Sequence, residues 1–166
     1  VAAVLRNAKR EDAGHILRLV SALADYEHLL HEVEATEQDF AEMMFGTRPS
    51  AYAVLAEVDG AVVGMALYYY TFSTFTGRRD IFLEDLFVMP EHRGHGIGLT
   101  LFRHLAAIAR DEKCRRIEWR VLNWNQPSID FYRHIGAKPL EDWTVQRLEG
   151  APLAALASDG GLNRSE

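Results

Sequence analysis

Leu83-Glu-Asp-Leu-Phe-Val-Met-Pro-Glu-His-Arg-Gly-His-Gly-Ile-Gly-Leu-Thr100 decides how this chain is read. An apolar run carrying a carboxylate ends at Pro90. Arg93-Gly94-His95-Gly96-Ile97-Gly98 follows, and then a long amphipathic helix pattern. A strand, a glycine-rich turn and a helix start, in that order, form an anion cradle. Successive backbone N–H groups point into the turn, and the helix dipole adds partial positive charge. Glycine lets a phosphate come close, because a Cβ would block it. A phosphorylated cofactor is expected there, with Glu84 just upstream. The turn is not a dinucleotide fingerprint, since the third glycine would fall at Leu99. Nor is it a Walker loop, since no lysine follows Gly98. A plain glycine-rich turn stays open on the hexapeptide alone.

Outward from this stretch, the elements fall in a definite order. Ala3 to Arg6 reads as a first strand. Ile16, Leu19, Val20 and Leu23 recur at helical spacing, so roughly 11–30 is expected to be helical, with Lys9 and Arg10 poor caps. Thr36 with Asp39 resembles a capping box for a helix near 37–46. Tyr52–Val58 and Ala61–Tyr70 are β-rich runs joined by Asp59-Gly60, a two-residue hairpin signal. Asp80–Val88 is a third strand, Gly98–Asp111 a helix and Arg116–Leu122 a strand. Pro127 and Gly136 bracket another helix. Trp143–Leu148 alternates like a last strand. The expected class is α/β (α+β): a mixed central sheet with helices on both faces.

The bulk properties narrow the partners. With 166 residues, 48% hydrophobic and 25% charged, one globular domain over residues 1–157 is expected, with 158–166 a frayed tail. The formal net charge of −6 argues against nucleic acid as a partner. Cys114 is alone, so there is no internal disulfide, and no Cys/His spacing suits a metal. No apolar run approaches a membrane span and no signal-peptide pattern opens the chain. A cytoplasmic protein without a membrane partner is expected.

The spacing Arg93-x-x-Gly96-x-Gly98 resembles the acetyl-CoA pyrophosphate loop of the GNAT superfamily of N-acetyltransferases. Asn125, Ser128, Tyr132 and Gly136 match that superfamily's second hallmark, N-x-x-[AS]-x-x-x-Y-x-x-x-G. Asp25-Tyr26-Glu27, Tyr68-Tyr69, the Leu83–Met89 run and Trp124-Asn-Gln-Pro-Ser-Ile-Asp-Phe-Tyr132 narrow the resemblance. They are similar to the spermidine/spermine N-acetyltransferase group, which includes the thialysine N-acetyltransferases. The resemblance runs from about Leu5 to Leu148. It implies a GNAT fold with six to seven strands and a splayed cofactor-binding edge. It also implies acetyl-CoA as donor, a small-molecule amine as acceptor and, commonly, a homodimer.

The same resemblance distributes roles among the residues. Arg93, Gly94, His95, Gly96, Ile97, Gly98 and Leu99 are expected to bind pyrophosphate, mostly through backbone N–H groups. Leu86, Phe87 and Val88 are expected to pair with the pantetheine amides, as an added strand would. A backbone N–H near Val88 is the candidate oxyanion donor. Asn125, Pro127 and Ser128 join the cofactor site. Tyr132 is the candidate general acid, because a phenol is protonated at neutral pH and can donate to a thiolate. Glu84 is the candidate base, through a water. It is preferred to Asp85, since adjacent strand residues point to opposite faces unless a bulge intervenes. Tyr26, Glu27, Glu84, Glu118, Trp119 and Arg120 are expected at the acceptor. Arg120 departs from the apolar residue of relatives; it would repel a polyamine and attract a carboxylate. A protein or aminoglycoside-like acceptor, and a non-catalytic acetyl-CoA-binding module, stay open.

Overall fold

The computed structural model describes residues 2–159, which fall into two compact units divided after Arg120. In the first, five strands lie side by side in chain order. They are β1 (Val4–Asn7), β2 (Tyr52–Val58), β3 (Ala61–Ser73), β4 (Arg78–Val88) and β5 (Ile117–Trp119). The first four run antiparallel, while β5 pairs parallel to β4. A parallel neighbour needs a crossover, and the helix α3 (Ile97–Asp111) supplies it. The sheet is therefore mixed, as expected.

Alternation sorts the side chains onto two faces. Ala53, Leu55, Met65, Leu67 and Phe87 face α1 (Ala13–Tyr26) and α2 (Glu37–Phe45), where Ile16, Leu19 and Met44 close the core. Ile16 and Leu19 are wholly buried; such side chains contribute about 1.5–3 kcal/mol each over leaving them exposed. On the opposite face, Trp119 meets Phe102 of α3 edge-on at 5.0 Å, and Leu101 and Leu105 are fully buried. The Asp59-Gly60 turn has both residues at positive φ, 52° and 80°, as a primed hairpin turn requires. The Thr36–Asp39 capping box forms: Asp39 N–H donates to Thr36 Oγ1 at 3.2 Å and Thr36 N–H to Asp39 Oδ2 at 2.7 Å.

Several expectations need correction. The first helix stops at Tyr26, because His28 takes a left-handed conformation (φ 61°) and Leu29 N–H returns to Ala24 O at 2.7 Å. Its start is better anchored than Lys9 and Arg10 suggest, since the Asp12 carboxylate accepts from Lys9 N–H at 2.7 Å. The strand expected over Arg116–Leu122 is only Ile117–Trp119, because its ladder ends where β4 bulges at Glu84. Five strands form among the described residues, not six or seven. Trp143–Leu148 is not a strand. Alternation makes a strand only when one face is buried and an edge pairs, and here Trp143 is 80% and Val145 65% exposed.

The second unit holds α4 (Gln126–His134) and α5 (Gly150–Asp159). Ser158 and Asp159 thus belong to a helix instead of a frayed tail; Ala151, Ala154, Ala155 and Ala157 are strong helix formers. The remainder of that expected tail, 160–166, lies outside the described residues.

Candidate active site

The site is built where β4 hands over to α3. In the β3–β4 ladder Leu67 opposes Asp85 and Tyr68 opposes Leu83, so Glu84 has no opposite number. One extra residue on β4 is a β-bulge. Its consequence follows from the faces. Phe82 opposes Tyr69, which puts the next-but-one residue, Glu84, on the α1 side; Asp85 opposes Leu67, which lies on that same side. The bulge brings both carboxylates to one face, which regular alternation forbids.

The bulge also opens an edge. Parallel pairing to β5 ends at Leu83–Trp119, so among the described residues no strand pairs with that edge of β4 from Glu84 to Val88. Leu86, Phe87 and Val88 occupy this stretch, as a strand-like cofactor arm requires. Beyond it, Gly94 and Gly96 have φ of 78° and 76°, and Gly96 is the N-cap of α3. A Cβ at Gly94, Gly96 or Gly98 would meet no atom within 4 Å. The turn is open on its outer side at a fifteen-residue helix's positive end, which fits a diphosphate on backbone N–H groups. Arg93, His95 and Leu99 flank it. The Arg93 side chain turns back instead of outward: Nε donates to Val88 O at 2.8 Å, and the guanidinium lies 5.0 Å from the Tyr26 ring centre and 5.2 Å from that of Phe87. It clamps the end of α1 to the end of β4. Ile97 is buried and anchors the helix start, and a His95 ring nitrogen lies 3.4 Å from the His92 carbonyl.

Around the bulge the charges are unequal. Glu84 lies 3.5 Å, through both carboxylate oxygens, from Nη2 of Arg120. The Arg120 guanidinium also covers the Phe82 ring at 5.4 Å, and Phe82 stacks on Tyr69 at 5.2 Å. Glu118, opposite Phe82, shares this face and lies 3.6 Å from Arg116. Trp119 does not share it, being turned to Phe102 and α3. Asp85 differs from all of these. Burial, with the negative charges of Glu84 and Glu27 added, pushes its carboxyl up to about 7. Burial also raises Glu27, the C-cap of α1. Asp85 is a candidate functional residue that sequence reasoning passed over. Its only signal was the condition attached to it, a bulge.

In the second unit, Asn125 is 5% exposed and its Oδ1 accepts from Ser128 N–H at 3.4 Å. Its side chain caps α4, and Pro127 sits in the first turn. Tyr132 lies on α4 with its ring 5.5 Å from that of Phe131.

The comparisons agree with this geometry. Residues 15–137 match the acetyltransferase (GNAT) family. The chain is 39% identical to the thialysine N-epsilon-acetyltransferase of Bos taurus, over 93% of this chain and 96% of that protein. It is 34% identical to the spermidine/spermine N(1)-acetyltransferase-like protein 1 of Homo sapiens, over 92% of this chain but 23% of the human protein. Among solved structures, an integron cassette protein from the mobile metagenome of V. cholerae aligns with a TM-score of 0.80 and 28% identity, covering 95% of this chain and 98% of that one. An open glycine turn, a bulged strand with a free edge, and these relatives lead to one conclusion: the chain belongs to the GNAT acetyltransferase family, and its activity is acetyl transfer to an amine of a small molecule.

Proposed function

We propose that the chain acetylates a primary amine of a polyamine or of a lysine- or thialysine-like amino acid, with Glu84 and Asp85 as a paired base and Tyr132 as general acid. The observation that supports this most is the bulge at Glu84, which brings two carboxylates to one face beside the open edge of β4.

The chemistry asked of the residues is specific. An alkylammonium has a pKa near ~10.4, so it must lose a proton before its nitrogen can attack. Glu84 faces the amine through a water, and Asp85, whose carboxyl burial pushes up to about 7, holds the proton near neutrality, where a base is most effective. Acetyl-CoA supplies a thioester when bound. The amine nitrogen bonds to its carbonyl carbon, and a backbone N–H near Val88 donates to the oxygen that becomes negative. The carbon–sulfur bond then breaks, and the departing sulfur takes the Tyr132 phenolic proton. The nitrogen's remaining surplus proton restores the Tyr132 phenol, and the proton held by the carboxylate base passes to solvent. Tyr26, Glu27, Glu118 and Arg120 contact the acceptor in this reading; Trp119 supports the strand from behind.

The family match over 15–137 crosses both compact units. That supports one catalytic domain over 1–157. No helix among the described residues is long and apolar enough to cross a membrane. A cytoplasmic homodimer is part of the proposal, on the resemblance alone.

The test is free-thiol release from acetyl-CoA in the presence of single amines: spermidine, lysine, thialysine, an aminoglycoside and a lysine-containing peptide. Turnover with one of the first three is expected. Turnover confined to the last two, or acetyl-CoA binding without turnover on any amine, would overturn the reading.

A further inference from the structure

The Arg120–Glu84 pair has features that a merely structural ion pair lacks. The two residues lie 36 positions apart and meet only because β5 runs parallel beside β4. Contact is made by Nη2 alone, at 3.5 Å to each oxygen, which is the long limit of hydrogen bonding. Both side chains are solvent-accessible, 50% for Arg120 and 39% for Glu84. A guanidinium carries five donors in a planar fork. Nε and Nη1 of Arg120 have no hydrogen-bond partner among the described residues. The plane is already oriented by the Phe82 ring, itself stacked on Tyr69. An oriented, half-used guanidinium suits bidentate capture of a carboxylate. The proposed base is thus covered by a cation that can be drawn away.

We propose that Arg120 is the specificity-determining residue of the acceptor site. In the free enzyme it holds Glu84; an incoming α-amino acid offers its own carboxylate, Arg120 exchanges partners, and Glu84 is left to face the amine at the other end of the same molecule. The exchange conserves ion pairs. Arg120–Glu84 becomes Arg120–carboxylate and Glu84–ammonium, so a zwitterionic acceptor leaves neither charge stranded. A diamine without a carboxylate offers nothing to Arg120. It must break the pair unaided and then bear the repulsion of a guanidinium beside its ammonium. The inference rests on the proposed acceptor face and adds which class of amine that face selects.

Lysine and cadaverine make the decisive pair of probes, because they share the same terminal amine and differ in the carboxylate. Steady-state acetylation of each is measured for the wild type, Arg120→Met, Arg120→Gln and Arg120→Lys. Wild type is expected to favour lysine. Arg120→Met and Arg120→Gln should lower the lysine-to-cadaverine ratio of kcat/KM by about tenfold or more, the scale of one lost charged hydrogen bond. The loss should appear as a higher KM for lysine, with cadaverine turnover rising as the repulsion goes. Arg120→Lys should hold part of the preference. A ratio unchanged in all three variants, or a wild type that favours cadaverine, would overturn the role of Arg120 while leaving acetyl transfer intact. A wild type inactive on both probes, on spermidine and on thialysine would instead overturn the proposed function itself.

Discussion

Asp12 and Asp85 are the same residue set into the same unit, and the fold treats them in opposite ways. Asp12 is 4% exposed and fully paired. It accepts from Arg6 at 2.7 and 2.8 Å and from Lys9 N–H at 2.7 Å, while Arg6 reaches Glu57 at 2.7 Å. Those hydrogen bonds, Arg6 foremost, hold its carboxyl below the usual range. Asp85 is set into the α1 side of the sheet with two other carboxylates for company, and its carboxyl rises to about 7. A charge buried with partners ties β1 to α1. A charge buried without them costs stability and acquires chemistry. The difference separates scaffold from candidate site more sharply than position in the chain does.

The largest effect should come from removing the unpaired member. Asp85→Asn keeps the shape but loses the proton acceptor, and kcat/KM for the amine should fall by about 10²–10⁴, the usual worth of a positioned base. The rise of kcat/KM through pH ~7 should shrink with it, because the Asp85 carboxyl is the group pushed up to about 7. A pH–rate profile of the variant that keeps its wild-type limb would remove Asp85 from the base and leave Glu84 alone in that role.

This division was only half legible in the sequence. The glycine turn could be read because its cause is local: Gly94 and Gly96 sit at positive φ, which few other residues tolerate. The capping box at Thr36 and the hairpin at Asp59-Gly60 are local for the same reason. Asp85 could not be read, since its face depends on which β3 residue opposes it, and a bulge shifts that by one. Nor could the Arg120–Glu84 contact, which needs the parallel register of two strands joined through α3. Trp143–Leu148 fails in the other direction. Its alternation is genuine, but a pattern of side chains says nothing about whether a strand edge is there to receive it.

The paired aspartate offers the reverse experiment, of intermediate size. Asp12→Ala leaves Arg6 with Glu57 and the Asn7 carbonyl and unties β1 from the start of α1. With Arg6 31% exposed, water recovers part of the loss, so destabilisation of about 2–3 kcal/mol is expected, below the range for a wholly buried pair. Measured well below its midpoint, the variant should keep wild-type kcat/KM. A large kinetic defect in the fully folded variant would mean that the Arg6 network acts on the site after all.

The smallest effect is in the slope of stability with pH, where the two aspartates should have opposite signs. Asp85 titrates near 7 in the fold against 3.8 for the ordinary group. Between those values the folded chain binds the extra proton, so stability should fall as pH rises from about 4 to 7 and stay low above it. Glu27, raised by burial, adds to the same slope. Asp12 is lowered, so its contribution is present above the ordinary carboxylate range and lost only as pH falls below it. Chemical denaturation at pH 5.5 and 8 should therefore find the wild type more stable at the lower pH. Asp85→Asn should flatten that difference and be the more stable protein at pH 8, by about 1–2 kcal/mol after allowing for partial hydration. Equal slopes in the two proteins would mean that the Asp85 carboxyl is hydrated and ionises like any surface group, and the contrast with Asp12 would then reduce to one ion network beside an ordinary strand.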